Sequence, residues 1–249
     1  MKIGLDARML SSGFGIGRYI EQLIYHLAQV DFNNEYVLFL RKENFDWFIN
    51  NLPSNFKKVL ADIPWYSFEE QLKMTKIIAR AKVDLMHFPH WNVPIFYRSP
   101  FVVTIHDLIM FHYPRAEATT LGPIKFWLKN HAHRLLIRRV VKNAKHILTT
   151  SEFTKQDIHK TLNVQLEKMT VTYQAPFIIN QSGHSQEGIT DYKLVLKKYG
   201  IVKPYVLYVG AAYPHKNLDG LLKAWKIFEQ KYGSDHQLVL VGKNNYFYK

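Results

Sequence analysis

Short apolar segments alternate along this chain with longer segments of helical periodicity. Segments rich in Val, Ile and Leu with little polar alternation are typical of parallel strands that are buried on both faces. Eight segments have this pattern: KIGLDAR, EYVLFLR, VDLMHF, FVVTIHD, HILTTS, MTVTYQ, YVLYVG and QLVLVG. Between them, helical spacing predicts helices over Gly17 to Gln29, Phe68 to Ala81, Gly122 to Ala144, Glu152 to Leu162 and Leu218 to Tyr232. The alternation predicts an α/β fold, a Rossmann-like doubly wound parallel sheet.

A polar, loop-like segment, NQSGHSQEG, interrupts this alternation between Pro176 and Pro204. A short helical segment, DYKLVLKKYG, follows it, and a new series of strand, loop, helix and strand then begins. We therefore predict a domain over residues 1–180, a linker over 181–204 and the start of a second Rossmann-like domain over 205–249.

The composition limits which partners and which kinds of site the protein can have. The chain of 249 residues carries a net charge of +13, which favours anionic partners such as phosphates, nucleotides or acidic lipids. Cysteine is absent, which fits a reducing cytoplasm and excludes a disulfide framework or a thiolate metal site. The N-terminal segment MKIGLDARM lacks a long apolar run, so we expect neither a signal peptide nor a spanning helix.

The positive charge is concentrated between Glu117 and Glu152, where no acidic residue occurs. Three interpretations stay open: a basic helix that packs on the sheet, a helix that lies on anionic lipid, and a nucleic-acid surface. Nothing in the sequence resembles a base-stacking or groove-reading module, so no nucleic-acid partner is expected. The candidates for facing a membrane are Arg138, Arg139 and Lys142.

Two polar segments follow predicted strands, where open α/β sheets bind their ligands. In VVTIHDL, His106 could donate a hydrogen bond to a substrate hydroxyl while Asp107 holds the turn. In HFPHWNVP, the side chains of His87, His90 and Asn92 are candidates for an acceptor or sugar cleft, and Asp107 is a fourth candidate for the same cleft. Ordinary packing is the favoured interpretation of Trp91. The sequence contains no H-E-x-x-H and no D-x-D motif, so no metal site is expected.

Two loops are candidates for binding phosphate. Gly13, Gly15 and Gly17 lie between the first strand and the first helix, where a tight turn and a ligand-facing loop are equally good interpretations. In YVLYVGAAYPHKN, the loop places His215 and Lys216 just before a helix. Unpaired backbone N–H groups at a helix start favour anions, and Lys216 adds a mobile cation.

Together these segments resemble the retaining nucleotide-sugar glycosyltransferases of the GT-B fold, in the mannosyl- and glucosyltransferase group. The resemblance is carried by MKIGLDAR with GFGIGRY, HFPHWNVP, VVTIHDL, TSEFTKQDI and YVLYVG with HKNLDGLLKAW. It implies that Gly15 and Gly17 approach the donor phosphates, that His106 contacts the transferred sugar, and that Lys216, beside His215, neutralises the diphosphate leaving group.

The resemblance implies a hexose transferase that uses a nucleotide sugar, GDP-mannose or a UDP-hexose, as its substrate. It implies no cofactor and no metal. The acceptor would be a glycan or a lipid-linked glycan, and the expected location is the cytoplasm or the inner face of the plasma membrane. Two alternatives stay open: a non-catalytic module that binds an acceptor or a membrane, and a GT-B epimerase or phosphorylase.

The chain also departs from this family pattern. Ala211 follows Gly210 where an arginine is common, so the charge of the diphosphate clamp would depend on His215. The family's E-x7-E segment would lie beyond Lys249. We therefore expect a C-terminally truncated chain with little or no activity of its own.

Overall fold

The computed structural model describes residues 1–10, 15–46, 52–114, 122–175 and 192–242, with the backbone alone for 123–125. The chain divides into two compact units. The first contains residues 1–114 and 127–175, and the second contains 115–126 and 176–249.

The first unit is built on a sheet of seven strands that all run parallel, in the order β3-β2-β1-β4-β5-β6-β7. The strands are β1 (Lys2–Asp6), β2 (Glu35–Leu40), β3 (Phe56–Leu60), β4 (Leu85–Phe88), β5 (Phe101–Ile105), β6 (His146–Thr149) and β7 (Met169–Val171). The strand order reverses direction between β1 and β4, which is the topological switch point where open α/β sheets bind ligands. The predicted doubly wound parallel sheet is confirmed.

Four of the five α-helices described in this part of the chain lie where the periodicity predicts them. They are α1 (Gly15–Val30), α2 (Thr75–Ala81), α3 (Ile109–His112), α4 (Pro123–Asn143) and α5 (Glu152–Leu162). A π-helical segment, Glu70–Met74, leads directly into α2. Ser151 caps α5, since its Oγ accepts a hydrogen bond from the backbone N of Thr154 at 3.1 Å.

Two elements have no counterpart in the sequence prediction: the single-turn helix α3 and the edge strand β3. The sequence of β3 is FKKVL, and its adjacent lysines break the apolar run that marks the other strands. Lys57 Nζ reaches Glu35 Oε1 at 3.1 Å, and Lys58 Nζ donates to the backbone oxygen of Phe45 at 3.0 Å. Charged side chains are tolerated here because an edge strand has one side free.

Hydrophobic cores lie on both faces of this sheet, as strand β2 shows. Val37 and Phe39 belong to one core, whereas Leu38 and Leu40 belong to the other. Successive side chains of a strand point to opposite faces, so an unbroken apolar strand serves both cores. Gly4 in β1 fits because a Cβ there would overlap the sulfur of Met86.

The second unit contains two parallel strands, β8 (Tyr205–Val209) and β9 (Gln237–Val241), with α6 (Tyr192–Lys198) and α7 (Leu218–Tyr232). The strands and helices agree with the predicted series. Much of the apolar surface of β8 is exposed among the described residues, with Val206 at 48% and Val209 at 69%. Parallel strands are usually covered on both faces, so this small sheet differs from the buried sheet of the first unit.

Candidate functional site

The carboxyl ends of β1, β4 and β5 lie side by side in the first unit and carry a concentration of polar side chains. Asp6 and Arg8 are at the end of β1, while His87 and the loop to Asn92 are at the end of β4. His106 directly follows β5. The sheet therefore brings together the sequence candidates from HFPHWNVP and VVTIHDL.

His106 is held at both its side chain and its main chain. Its Nε2 lies 2.9 Å from the backbone oxygen of Pro89, and the ring of Tyr19 packs edge-on with centroids 4.8 Å apart. The backbone oxygen of His106 accepts hydrogen bonds from the hydroxyls of Thr150 and Thr154, at 3.3 and 3.0 Å. Burial lowers the pKa of His106, and the Pro89 carbonyl and the Asp107 carboxylate oppose that shift.

The two threonines give the TSEFTKQDI segment a structural role, because both of them bond the main chain at His106. Thr150 directly follows β6 and Thr154 lies in the first turn of α5, so both hydroxyls reach back to the residue that follows β5. The segment therefore fixes the main chain at His106.

Asp107 has the turn role that the sequence predicts. Its Oδ1 accepts a hydrogen bond from the backbone N of Ile109 at 2.9 Å, at the start of α3. The side chain is exposed, and among the described residues it forms no hydrogen bond with His106. A His–Asp dyad is thus absent at this position.

His87 lies beneath the surface, with only 7% of its area exposed. Its Nε2 is 2.8 Å from Thr104 Oγ1, and the hydroxyl of Tyr19 is 3.2 Å from the same atom. Burial, with a smaller contribution from His106, lowers the pKa of His87 to about 4. The structure therefore places His87 in a buried hydrogen-bonded chain under His106, away from the surface on which a sugar cleft was predicted.

His90 is half-buried at the same edge, in a cluster of aromatic rings. Its Nδ1 is 3.3 Å from the hydroxyl of Tyr66, and Trp91 lies between His90 and His133 with ring centroids 4.7 and 4.4 Å away. Burial first, then His106 and His133, lower the pKa of His90 to about 3. Trp91 also packs on the main core, as the favoured packing interpretation predicts.

A buried ionic network at the end of β1 was not predicted from the sequence. Arg8 is 1% exposed, and its Nε and Nη2 donate to the two oxygens of Asp6 at 2.8 and 2.7 Å. Nη2 also donates to Glu70 Oε1 at 2.5 Å, and that oxygen accepts a second bond from Asn92 Nδ2 at 2.8 Å. Burial lowers the pKa of Arg8, but the two carboxylates outweigh burial and raise it. The amide nitrogen of Asn92 is thus committed to Glu70.

The glycine candidates lie at the start of α1. The helix begins at Gly15, which is exposed, while Gly17 is buried. A Cβ at Gly15 would meet no atom within 4 Å, so packing does not require a glycine there. Residues 11–14, including Gly13, lie outside the described residues, and the phosphate role of this loop stays a prediction.

Lys216 and His215 belong to the second unit and lie in the 3-10 turn Pro214–Lys216. Asn217 follows in the left-handed region with φ 53°, and α7 then begins. Both candidate side chains are exposed, and the ring of His215 stacks on Tyr213 with centroids 5.7 Å apart. The turn presents a cation directly before a helix start, as predicted, and its role towards a diphosphate stays a prediction.

The basic stretch folds as α4, and its candidates differ in environment. Arg138 and Lys142 are exposed, whereas Nη2 of Arg139 is buried without a hydrogen-bond partner among the described residues. Leu128 and Leu135 lie on the same side of the helix as Arg138 and are 56% and 65% exposed. Within the described residues, no helix is both long enough and apolar enough to cross a bilayer.

The fold and the edge of the sheet define a doubly wound α/β protein with polar side chains at the carboxyl ends of its parallel strands, where proteins of this class bind ligands. A family model described as Glycosyltransferase Family 4 matches residues 15–175, and the chain belongs to this family.

Two curated relatives cover most of the chain. It is 26% identical over 254 residues to the O-antigen chain mannosyltransferase RfbU of Salmonella typhimurium, covering 96% of this chain and 62% of that protein. It is 25% identical over 246 residues to the O-antigen chain mannosyltransferase B of Escherichia coli, covering 92% and 60%. The chain thus spans about three fifths of the length of these relatives.

Solved structures show the same fold. WaaG, a glycosyltransferase involved in lipopolysaccharide biosynthesis, matches 98% of this chain and 64% of its own, with a TM-score of 0.57 and 15% identity. A UDP-glucose: anthocyanidin 3-O-glucosyltransferase in complex with UDP matches 96% and 71%, with a TM-score of 0.53 and 12% identity. The predicted GT-B family resemblance is confirmed.

Proposed function

We propose that the protein is a retaining glycosyltransferase that moves a hexose from a nucleotide sugar to a glycan or a lipid-linked glycan. The family match over residues 15–175 carries this proposal, because it includes the edge of the sheet where His106 is fixed. Mannose is the first candidate sugar, since both curated relatives are O-antigen chain mannosyltransferases. GDP-mannose is the corresponding donor, and a UDP-hexose is the alternative.

The proposed chemistry is electrostatic and uses no metal. As the bond between the sugar C1 and the phosphate oxygen breaks, negative charge develops on the diphosphate. The exposed Lys216, at the end of the Pro214–Lys216 turn, stabilises that charge. Gly15 and Gly17 let the start of α1 approach the donor phosphates, and His106 contacts the transferred sugar.

Turnover of radiolabelled GDP-mannose and UDP-glucose by the full-length protein, with this 249-residue chain assayed beside it, tests this proposal. We expect transfer from GDP-mannose with retention of the anomeric configuration, which NMR of the product reports. Lys216→Ala should reduce kcat by about 10²- to 10³-fold, the usual cost of removing a group that stabilises developing charge. Lys223→Ala removes an exposed lysine of α7 and is the matched control.

Absence of transfer from either donor, or equal loss in both variants, would refute the assignment. Release of a free sugar epimer or a sugar phosphate would indicate the epimerase or phosphorylase alternative. Binding of an acceptor without turnover would indicate a non-catalytic module.

We further propose that the protein docks on the inner face of the plasma membrane through α4. The supporting observation is the exposed stripe that joins Leu128 and Leu135 to Arg138 and Lys142. Apolar side chains enter the interface, and each basic residue adds about 1 kcal/mol near anionic lipid. The absence of cysteine fits the reducing cytoplasm on that side of the membrane.

Co-sedimentation with vesicles that contain anionic phospholipid tests the docking. Replacing both Arg138 and Lys142 with Gln should weaken vesicle binding by about 2 kcal/mol, which lowers the partition coefficient roughly 30-fold. Lys160→Gln, an exposed lysine on α5, is the control. Unchanged partitioning of the double variant would exclude α4 as the docking element.

A further inference from the structure

The hydrogen bond between the ring of His106 and the main chain determines which nitrogen of that ring carries the proton. Nε2 lies 2.9 Å from the backbone oxygen of Pro89. A carbonyl oxygen has lone pairs but no hydrogen, so it can only accept, and Nε2 must be the donor. The neighbouring Asp107 carboxylate is turned to the backbone N of Ile109 and takes no proton from the ring among the described residues.

The other ring nitrogen, Nδ1, has no hydrogen bond from any described residue. The ring is neutral at physiological pH, because burial lowers its pKa from the ordinary value of 6.5. A neutral imidazole with a proton on Nε2 carries a lone pair on Nδ1.

We propose that His106 is fixed as the Nε2–H tautomer and recognises the transferred sugar by accepting a hydrogen bond from one hydroxyl at Nδ1. The sequence-based expectation was the reverse, a histidine that donates to a substrate hydroxyl. The direction matters for specificity, since an acceptor at this position selects groups with a proton to give. A hydroxyl satisfies it, whereas a fluorine or a methyl ether at the same carbon leaves it unpaired.

The Pro89 carbonyl and the Tyr19 ring together hold the imidazole in this orientation. Tyr19 packs its ring against His106, and its hydroxyl is anchored on Thr104 Oγ1, which also contacts His87 Nε2. A half-turn of the imidazole about Cβ–Cγ would break the bond to Pro89, and the edge-on contact with Tyr19 restrains tilting of the ring plane. We therefore assign Tyr19 as a positioning residue.

The tautomer can be measured on the chain itself, without turnover. Long-range ¹H–¹⁵N spectra of protein labelled with ¹⁵N-histidine separate protonated from unprotonated ring nitrogens. His159 supplies an internal control, because its Nδ1 lies 2.8 Å from the backbone oxygen of Val164 and must be the protonated nitrogen. Spectra of His106→Asn and His159→Asn assign the two signals by their loss.

We expect opposite tautomers in one spectrum at pH 7.5, with Nε2–H at His106 and Nδ1–H at His159. Nδ1–H or an imidazolium at His106 would overturn the inference, whether or not the protein transfers sugar. The Tyr19→Phe variant keeps the ring contact and should leave the tautomer unchanged. Tyr19→Ala removes that contact and should yield a mixture of tautomers at His106, so an unmixed Nε2–H signal would refute the positioning role of Tyr19.

Recognition of the sugar rests on the proposed function and needs a separate measurement. The probes are GDP-mannose and its monodeoxyfluoro analogues, each lacking one hydroxyl proton. In wild type, one analogue should lose about tenfold in kcat/KM relative to the others, and that loss should vanish in His106→Ala. Equal losses in both proteins would refute hydroxyl recognition by His106 while the tautomer stands. Absence of turnover with GDP-mannose itself would instead refute the proposed donor.

Discussion

Replacing Glu70 with alanine should destabilise the first unit strongly. The carboxylate is fully buried and accepts hydrogen bonds from Arg8 Nη2 at 2.5 Å, Asn92 Nδ2 at 2.8 Å and the backbone N of Tyr66 at 2.8 Å. Alanine leaves these donors without an acceptor, at about 1–3 kcal/mol each. Arg8 keeps its paired bonds to Asp6, so the guanidinium is only partly uncompensated. We expect a loss of about 3–5 kcal/mol, the usual cost of breaking a buried ion pair.

Hydrogen exchange followed by mass spectrometry can measure this loss within the first unit alone. Peptides that cover β1, β4 and β5 should exchange about 10²- to 5 × 10³-fold faster in Glu70→Ala than in wild type, which is the fold-change that corresponds to this loss. Glu70→Gln keeps one acceptor oxygen and should fall between the two proteins.

The adjacent Glu69 provides a matched control on the same helix. It forms an exposed ion pair with Lys73 at 2.6 Å, so Glu69→Gln should change stability by less than about 0.5 kcal/mol. If Glu70→Ala exchanged at the wild-type rate, or if Glu69→Gln had an equal effect, the argument from burial and unpaired donors would be refuted.

Three further predictions concern stability and pH. Gly4→Ala should cost about 1–3 kcal/mol in urea melts because its Cβ overlaps Met86, whereas Gly15→Ala, with open space around it, should not be destabilising by that mechanism. Hydrogen bonds from neighbouring side chains lower the pKa of Asp31 to about 2 from 3.8, so its stabilisation should be present above pH 4 and lost as the pH falls towards 2, and Asp31→Asn should remove that dependence. Burial lowers the pKa of His87 to about 4, so between pH 6.5 and 4 the imidazole binds a proton in the unfolded chain but not in the folded one. The free energy of unfolding should therefore fall as the pH drops from 6.5 towards 4, and it should fall less in His87→Gln.

The elements that could be predicted from the sequence are those whose ends and faces are set locally. The bounds of α5 and α7 agree with the prediction at both ends. Ser151 caps the start of α5, and Gly233 ends α7 with φ 82°. Strand β3 was missed because Lys57 and Lys58 are acceptable only at an edge, and nothing local indicates that this strand is an edge.

The position of the site could be predicted from the sequence, but the ion pairs and hydrogen bonds within it could not. The rule that ligands lie at the carboxyl ends of parallel strands correctly places His106 beside the β4 loop. The pairing of Arg8 with Glu70 joins residues 62 positions apart, and no sequence spacing predicts it. The direction of the hydrogen bond at His106 likewise depends on where the Pro89 carbonyl falls.

The double attachment of His106 has a consequence for the energetics of ligand binding. Its ring is held by Pro89 and Tyr19, and its main chain by the hydroxyls of Thr150 and Thr154. Ordering a free side chain at a binding surface costs about 0.5–1.5 kcal/mol of conformational entropy. Here that entropy is lost when the sheet folds, long before a ligand arrives. His106 therefore meets its ligand as a preorganised group, and the contact it makes is not weakened by an ordering cost at the moment of binding.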